Sequence, residues 1–137
     1  MSRGSETVVI DEWLETVLAD ITDVTGVFNE LAPTEQLYPF IVYQLQSPSD
    51  VVGLGPQARI MVDAEYVVRV VAAVGSFADI AEIANEIDAA IDGQGGPTST
   101  GVVLGTVRLA QYRQVEQFQN DQIHHLGGRY RIQAQGA

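Results

Sequence analysis

Cysteine and lysine are both missing from this 137-residue chain. Without cysteine there are no disulfides, thiolate metal sites or cysteine nucleophiles. Without lysine, all seven basic side chains are arginines, against eighteen acids, and the formal net charge is −11. A surface that grips phosphates needs a basic footprint, so a field of this sign repels nucleic acid rather than binding it. Long apolar runs are also missing: none reaches the roughly 18 residues of a membrane span. The opening Met1-Ser2-Arg3-Gly4-Ser5-Glu6 lacks the apolar segment of a secretory signal. A soluble protein made in a cytoplasm is expected.

What is present suits one domain with a core. Hydrophobic residues make up 46% and charged residues 18% of the chain, too apolar for a disordered acidic tail. One domain spanning residues 1–137 can bury roughly two-thirds of its unfolded surface.

The landmark is Tyr38-Pro39-Phe40-Ile41-Val42-Tyr43-Gln44-Leu45. Its aromatic and β-branched residues suit a buried strand, and Pro39, with no N–H for a ladder, belongs at its start. Trp13, Tyr38, Pro39, Phe40 and Tyr43 are the expected core anchors. Upstream, Ile10, Trp13, Leu14, Val17, Leu18 and Ile21 form one stripe of a helix, with Asp11, Glu12, Glu15 and Asp20 opposite and Ser5 or Thr7 as a cap. Val27-Phe28 reads as a brief strand.

Downstream, Ser47 to Ala58 holds two prolines and two glycines and reads as irregular, yet it carries Val51, Val52 and Leu54. It either folds back on its own domain or forms a hairpin arm covered by another subunit. Arg59 to Val74 alternates strictly, with apolar even positions, and reads as a long strand whose far end is apolar on both faces. Ser76 is placed to cap a second helix running to about Asp92, with Phe77, Ile80, Ile83, Ala84, Ile87 and Ile91 inward and Asp79, Glu82 and Glu86 on an acidic stripe. Asp88 and Asp92 sit at the unfavourable end of its dipole, where arginines from elsewhere can offset them. Gly93 to Gly101 reads as a flexible surface loop. Val102 to Gln117 and Gln122 to Gln135 then form a hairpin, with His124, Leu126, Gly128, Tyr130, Ile132 and Ala134 on one face and His125, Gly127, Arg129, Arg131 and Gln133 on the other. The expected class is α+β: a mixed, mainly antiparallel sheet of four to five strands against two helices, with a long loop or hairpin arm.

Positive signs of catalysis are missing. His124 and His125 are the only histidines, and neighbours on a strand point to opposite faces, so they cannot share a metal. No glycine-rich strand-to-helix turn cradles a phosphate. The second-helix carboxylates can in principle hold a hard cation, but a solvated face is the commoner arrangement. No enzyme, cofactor or metal is expected.

In order and spacing, the chain resembles the tail terminator, or tail-completion, proteins of long-tailed bacteriophages. The resemblance rests on Leu37-Tyr38-Pro39-Phe40-Ile41-Val42-Tyr43, on Ile83-Ala84-Asn85-Glu86-Ile87-Asp88-Ala89-Ala90-Ile91 and on the closing Gly128-Arg129-Tyr130-Arg131-Ile132. It implies a virion protein of the neck end of the tail, assembled in the host cytoplasm as a homo-oligomeric ring, a hexamer. Such a ring stops polymerisation of the tail tube protein below it and meets a head-to-tail connector or stopper protein above. DNA passes through without specific binding, and no membrane is involved. In that setting Asp79, Glu82 and Glu86 are expected to line an acidic lumen, and Val51, Val52, Leu54, Arg69, Arg129 and Arg131 to contact a neighbour or the tube. Two rival readings remain open at this point: another neck component, and a small acidic ligand- or metal-binding domain or enzyme.

Overall fold

A computed structural model describes residues 6–47, 50–52 and 59–136, with the side chains of 7–47 and 61–136. In chain order its elements are α1 (Glu6–Leu18), β1 (Val27–Asn29), β2 (Phe40–Ser47), β3 (Asp50–Val52), β4 (Arg59–Ala73), a 3-10 turn (Phe77–Ile80), α2 (Ala81–Ile91), β5 (Gly96–Pro97), β6 (Gly101–Phe118) and β7 (Asp121–Gly136). The seven strands form one sheet in the order β1-β2-β4-β7-β6-β5, with β3 also paired to β4. All pairings are antiparallel except β1 with β2. The class is α+β, as expected, with more strands than the four to five expected.

The extra strands are short and lie in glycine- and proline-rich segments. β3 continues the line of β2 along β4: Ser47 pairs with Glu65 and Asp50 with Val62. Val51 and Val52 are therefore in a strand rather than in irregular chain, and β2, β3 and β4 make one long hairpin. Leu54 lies outside the described residues. β5 is two residues against Val102 and Val103 of β6. The chain from Gly93 to Gly101 is thus tied to the sheet rather than a free loop. β6 and β7 form the second long hairpin, closed by Gln119 and Asn120, and Gln119 adopts φ 56°.

Alternation along β4 and β7 does what period two requires. Val62, Ala64, Tyr66, Val68, Val70 and Ala72 of β4 join Leu126, Tyr130, Ile132 and Ala134 of β7 in the core. Against this face α1 lays Val9, Ile10, Trp13, Leu14 and Leu18, and α2 lays Ile83, Ile87 and Ile91. The arrangement is a two-layer one. Thr7 lies inside α1 and does not cap it. Ser76 precedes the 3-10 turn without a side-chain capping bond.

The landmark strand divides between two places. Ile41 and Tyr43 belong to the main core, whereas Phe40 packs with Val42, Val71 and Ile123 in a small cluster on the opposite sheet face. β4 is thus apolar on both faces near its end as far as Val71, while Ala73 is exposed. Tyr38 is not a core anchor. It is 44% exposed and lies stacked on Phe40, with ring centroids 5.5 Å apart. Pro39 is half-buried and precedes the first strand residue, and the Tyr38–Pro39 peptide is cis.

Candidate assembly surfaces

Three buried tyrosines fix the helices on the inner sheet face. The Tyr66 hydroxyl donates to Asp11 Oδ1 at 2.8 Å, Tyr43 to Glu15 Oε2 at 2.9 Å and Tyr130 to Asp88 Oδ1 at 2.9 Å. Burial pushes all three phenols above their ordinary range, and the adjoining carboxylates push the same way, so they remain donors. Burial also raises the Asp11 carboxyl. Glu12 takes the Ser99 N–H and Oγ at 2.7 Å each, and these bonds hold its carboxyl below the usual range. Three of the four acids expected on the solvent side of α1 therefore hold the fold together. At the end of α2, Arg108 Nη1 lies 3.6 Å from Asp88, and the Arg108 N–H donates to Asp92 Oδ1 at 2.9 Å. Asp88 thus meets the arginine charge that its unfavourable dipole position calls for, whereas Asp92 meets that residue's backbone N–H.

On the outer face the chemistry is a polar ladder. Arg131 forks onto Asp63, with Nε 2.8 Å from each carboxylate oxygen, and Arg129 Nη2 donates to Glu65 at 3.0 Å. The Arg131 guanidinium holds the Asp63 carboxyl below its usual range. Arg69 donates through Nε to His125 Nδ1 at 3.0 Å and through Nη1 to Gln44, and His125 Nε2 lies 2.7 Å from Glu116. Across β7, Arg69 also lies over the Tyr112 ring, 5.8 Å from its centroid. Gly127 stands between them in register, paired to Arg69 on one side and Tyr112 on the other. A Cβ there would come within 1.9 Å of the Val68 carbonyl oxygen, so only glycine lets the strands approach this closely. The three arginines expected at an intermolecular contact are thus each engaged within their own chain.

Asp79 lies in the 3-10 turn, and Glu82 and Glu86 lie one turn apart on α2. Asp79 and Glu82 are exposed and Glu86 is half-buried, and none has an ion pair to a described residue. Glu86 borders a cleft of about 470 Å³ between the end of α1 and α2, lined also by Val17, Asp20, Ile21 and Ala90. The two histidines part as strand geometry demands. His125 joins the outer ladder, while His124 faces the helices edge-on to Phe77, centroids 4.7 Å apart. Among the described residues no group of three histidine or carboxylate side chains has a geometry that holds a metal. No helix is long and apolar enough to cross a membrane.

With this geometry in hand, comparison with known proteins gives one kind of match. No family model and no curated protein matches the chain. Solved structures do. A chain of the virion of a native gene transfer agent (GTA) particle has the same fold, with a TM-score of 0.62 and 12% identity over 98% of both chains. A second solved structure, which carries no functional description, superposes with a TM-score of 0.58 and 15% identity over 96% of both chains. At these identities the likeness is one of fold, and it extends from end to end.

One feature of the surface had no clear signal in the sequence. From Val107 onward β6 is exposed almost throughout, so the last hairpin has one strand in the core and one largely outside it. The exposed strand is the more apolar of the two, with nine apolar residues in eighteen against five in sixteen. Past Arg108 the strand runs beyond α1 and α2, and strand periodicity does not reveal that.

Proposed function

We propose that this chain is a structural virion protein of the tail terminator kind. In this reading it forms a ring at the head-proximal end of a phage tail tube, halts tube growth and offers the surface on which the head is joined. The observation that carries the reading is the end-to-end fold match to a chain of a GTA virion. It agrees with the order of elements on which the resemblance to tail terminators rests. A surplus of eleven acidic charges suits a ring through which a genome slides, since carboxylates around a passage repel phosphates. Asp79, Glu82 and Glu86, with no ion pair to a described residue, are the proposed lumen groups. The outer sheet face with Arg69, Arg129 and Arg131 and the arm carrying Val51, Val52 and Leu54 are the proposed contacts with a neighbour or with the tube.

Light scattering on the purified chain, followed by negative-stain imaging, tests this. The expected particle has about six times the 14.8 kDa subunit mass and a central hole. A strictly monomeric protein whose melting temperature rises saturably with a metal ion or small molecule would overturn it in favour of a ligand-binding domain. Acids mapped to the outer circumference of an imaged ring would refute the lumen assignment alone.

A further inference from the structure

Nine large apolar side chains are exposed among the described residues, and eight of them fall in two places. Leu31, Leu37 and Tyr38 lie in the loop joining β1 to β2, at one edge of the sheet, and the two leucines are 81% and 73% exposed. Leu104, Val107, Leu109, Val115 and Phe118 lie on β6, towards the other edge. Val8 is the remaining one.

The backbone of β6 is unfinished beside the last three of these side chains, Leu109, Val115 and Phe118. β5 covers Val102 and Val103, then Gly93 N–H donates to the Thr106 carbonyl at 2.9 Å and Asp92 accepts from Arg108 N–H. Past Arg108 no described residue pairs with the outer edge. Phe118 and Asp121 flank a two-residue turn, and the pair closing such a turn exchanges both of its backbone hydrogen bonds. Alternation from that pair turns the N–H and C=O groups of Gln117, Val115, Arg113 and Gln111 away from β7. A long strand edge of this kind, carrying apolar side chains, is a surface that native proteins cover or blunt.

Charge narrows what covers it. Two copies of a chain at −11 repel overall, so contact between them needs local attraction. β6 from Val107 to Phe118 carries Arg108, Arg113 and one acid, Glu116, which His125 engages, whereas residues 29 to 38 carry Glu30 and Glu35 and no base. Arg113 lies over the Phe77 ring at 4.0 Å and has no ion pair to a described residue. The two patches differ and occupy opposite edges of one sheet. Pairing either patch with itself leaves the other open, and pairing one with the other covers both in every copy once the assembly closes.

We propose that the open edge of β6 receives the Leu31–Tyr38 loop of a second copy of this chain, and that this head-to-tail contact is the seam of the ring. The proposal rests on the ring reading above and goes beyond it by naming the two surfaces. It leaves the Arg129 and Arg131 ladder outside the seam.

Two double variants test it, Leu109→Glu with Val115→Glu on β6 and Leu31→Asn with Leu37→Asn on the loop. All four positions are exposed, so both variants should melt as the parent does. Each should be monomeric in light scattering, with self-association weakened by at least about a hundredfold, because the first sets carboxylates against Glu30 and Glu35 and the second replaces the apolar contact with unpaired amides. Mixed, they should give a one-to-one dimer and nothing larger, since each retains one intact surface. A loop variant that still assembles by itself, or a mixture that stays monomeric, overturns the proposal. If the parent forms rings and both variants keep them, the seam lies elsewhere and the ring reading stands. If the parent is itself monomeric, the ring reading falls and this seam with it. Should either variant fail to fold, cysteine replaces it, because the chain has none of its own. Leu37→Cys and Val115→Cys proteins treated with a bismaleimide should yield cross-linked dimers when mixed, and neither should when alone. Dimers from either single variant, or none from the mixture, reject the seam.

Discussion

β7 presents two different economies on its two faces. Inward, Tyr130, Ile132 and Ala134 are buried under the helices, and the one polar tip among them, the Tyr130 hydroxyl, reaches a carboxylate of α2. Outward, Arg129 and Arg131, each about half exposed, reach acids of β4. Hydrogen bonds and charges occur on both sides, yet they differ in what their loss exposes. Breaking an inner pair strands a buried group, whereas breaking one of these outer pairs leaves its arginine in solvent. The inner face therefore holds the subunit together, and the outer face can change its partners at little cost to folding.

Substitutions can break this contrast, beginning with the largest expected effect. Trp13→Ala should destabilise the chain by about 3 to 5 kcal/mol in urea unfolding, because the indole is buried between α1 and the sheet. A loss well under about 1 kcal/mol would mean that it does not pack there. Tyr66→Phe keeps the ring and removes only the hydroxyl that serves Asp11 and the Thr7 carbonyl. A loss of about 1 to 3 kcal/mol is expected, with Asp11 left half-buried and short of a donor.

Acidification sharpens the contrast on the outer side. Burial depresses the His125 pKa and Arg131 depresses that of Asp63, so in both cases the unfolded chain binds the proton first as pH falls. Stability should thus decline below about pH 6.5, through His125, and again below about pH 4, through Asp63. One proton limits each slope to about 1.4 kcal/mol per pH unit. Asp11, whose carboxyl is raised, works in the opposite sense just above pH 4. His125→Gln should flatten the upper decline in a series of melts, and an unchanged profile would show that the ring is not buried as described. Arg131→Ala should do least, moving the unfolding midpoint less than any of the changes above, since the guanidinium is exposed. An effect as large as that of Tyr66→Phe would erase the difference between the faces.

Much of the fold is legible in the order of residues. The strict alternation of β4, the isoleucine stripe of α2 and the split of β7 into an apolar and an arginine face all follow from backbone periods of 2 and 3.6. β3 and β5 were not legible, because strands of three and two residues exist through a partner on β4 or β6 rather than through a pattern of their own. Tyr38 shows a second limit. Aromatic character marks a residue for contact but does not say with what, and this ring stacks on Phe40 at the surface. The acids of α1 show a third: Asp11, Glu12 and Glu15 read as a wet face, and each meets a donor from a distant strand or loop.

The sequence by itself determined the two amphipathic helices, the long strands, the sign of the surface field and the absence of thiol and lysine chemistry. These depend on local backbone geometry and on simple addition of charge. Only the tertiary structure decided which arginines are already engaged, which carboxylates are pinned by tyrosines, and where apolar side chains are left uncovered at the two ends of the sheet. Each of those turns on residues dozens of positions apart, and the distance between such residues is set by packing rather than by order along the chain.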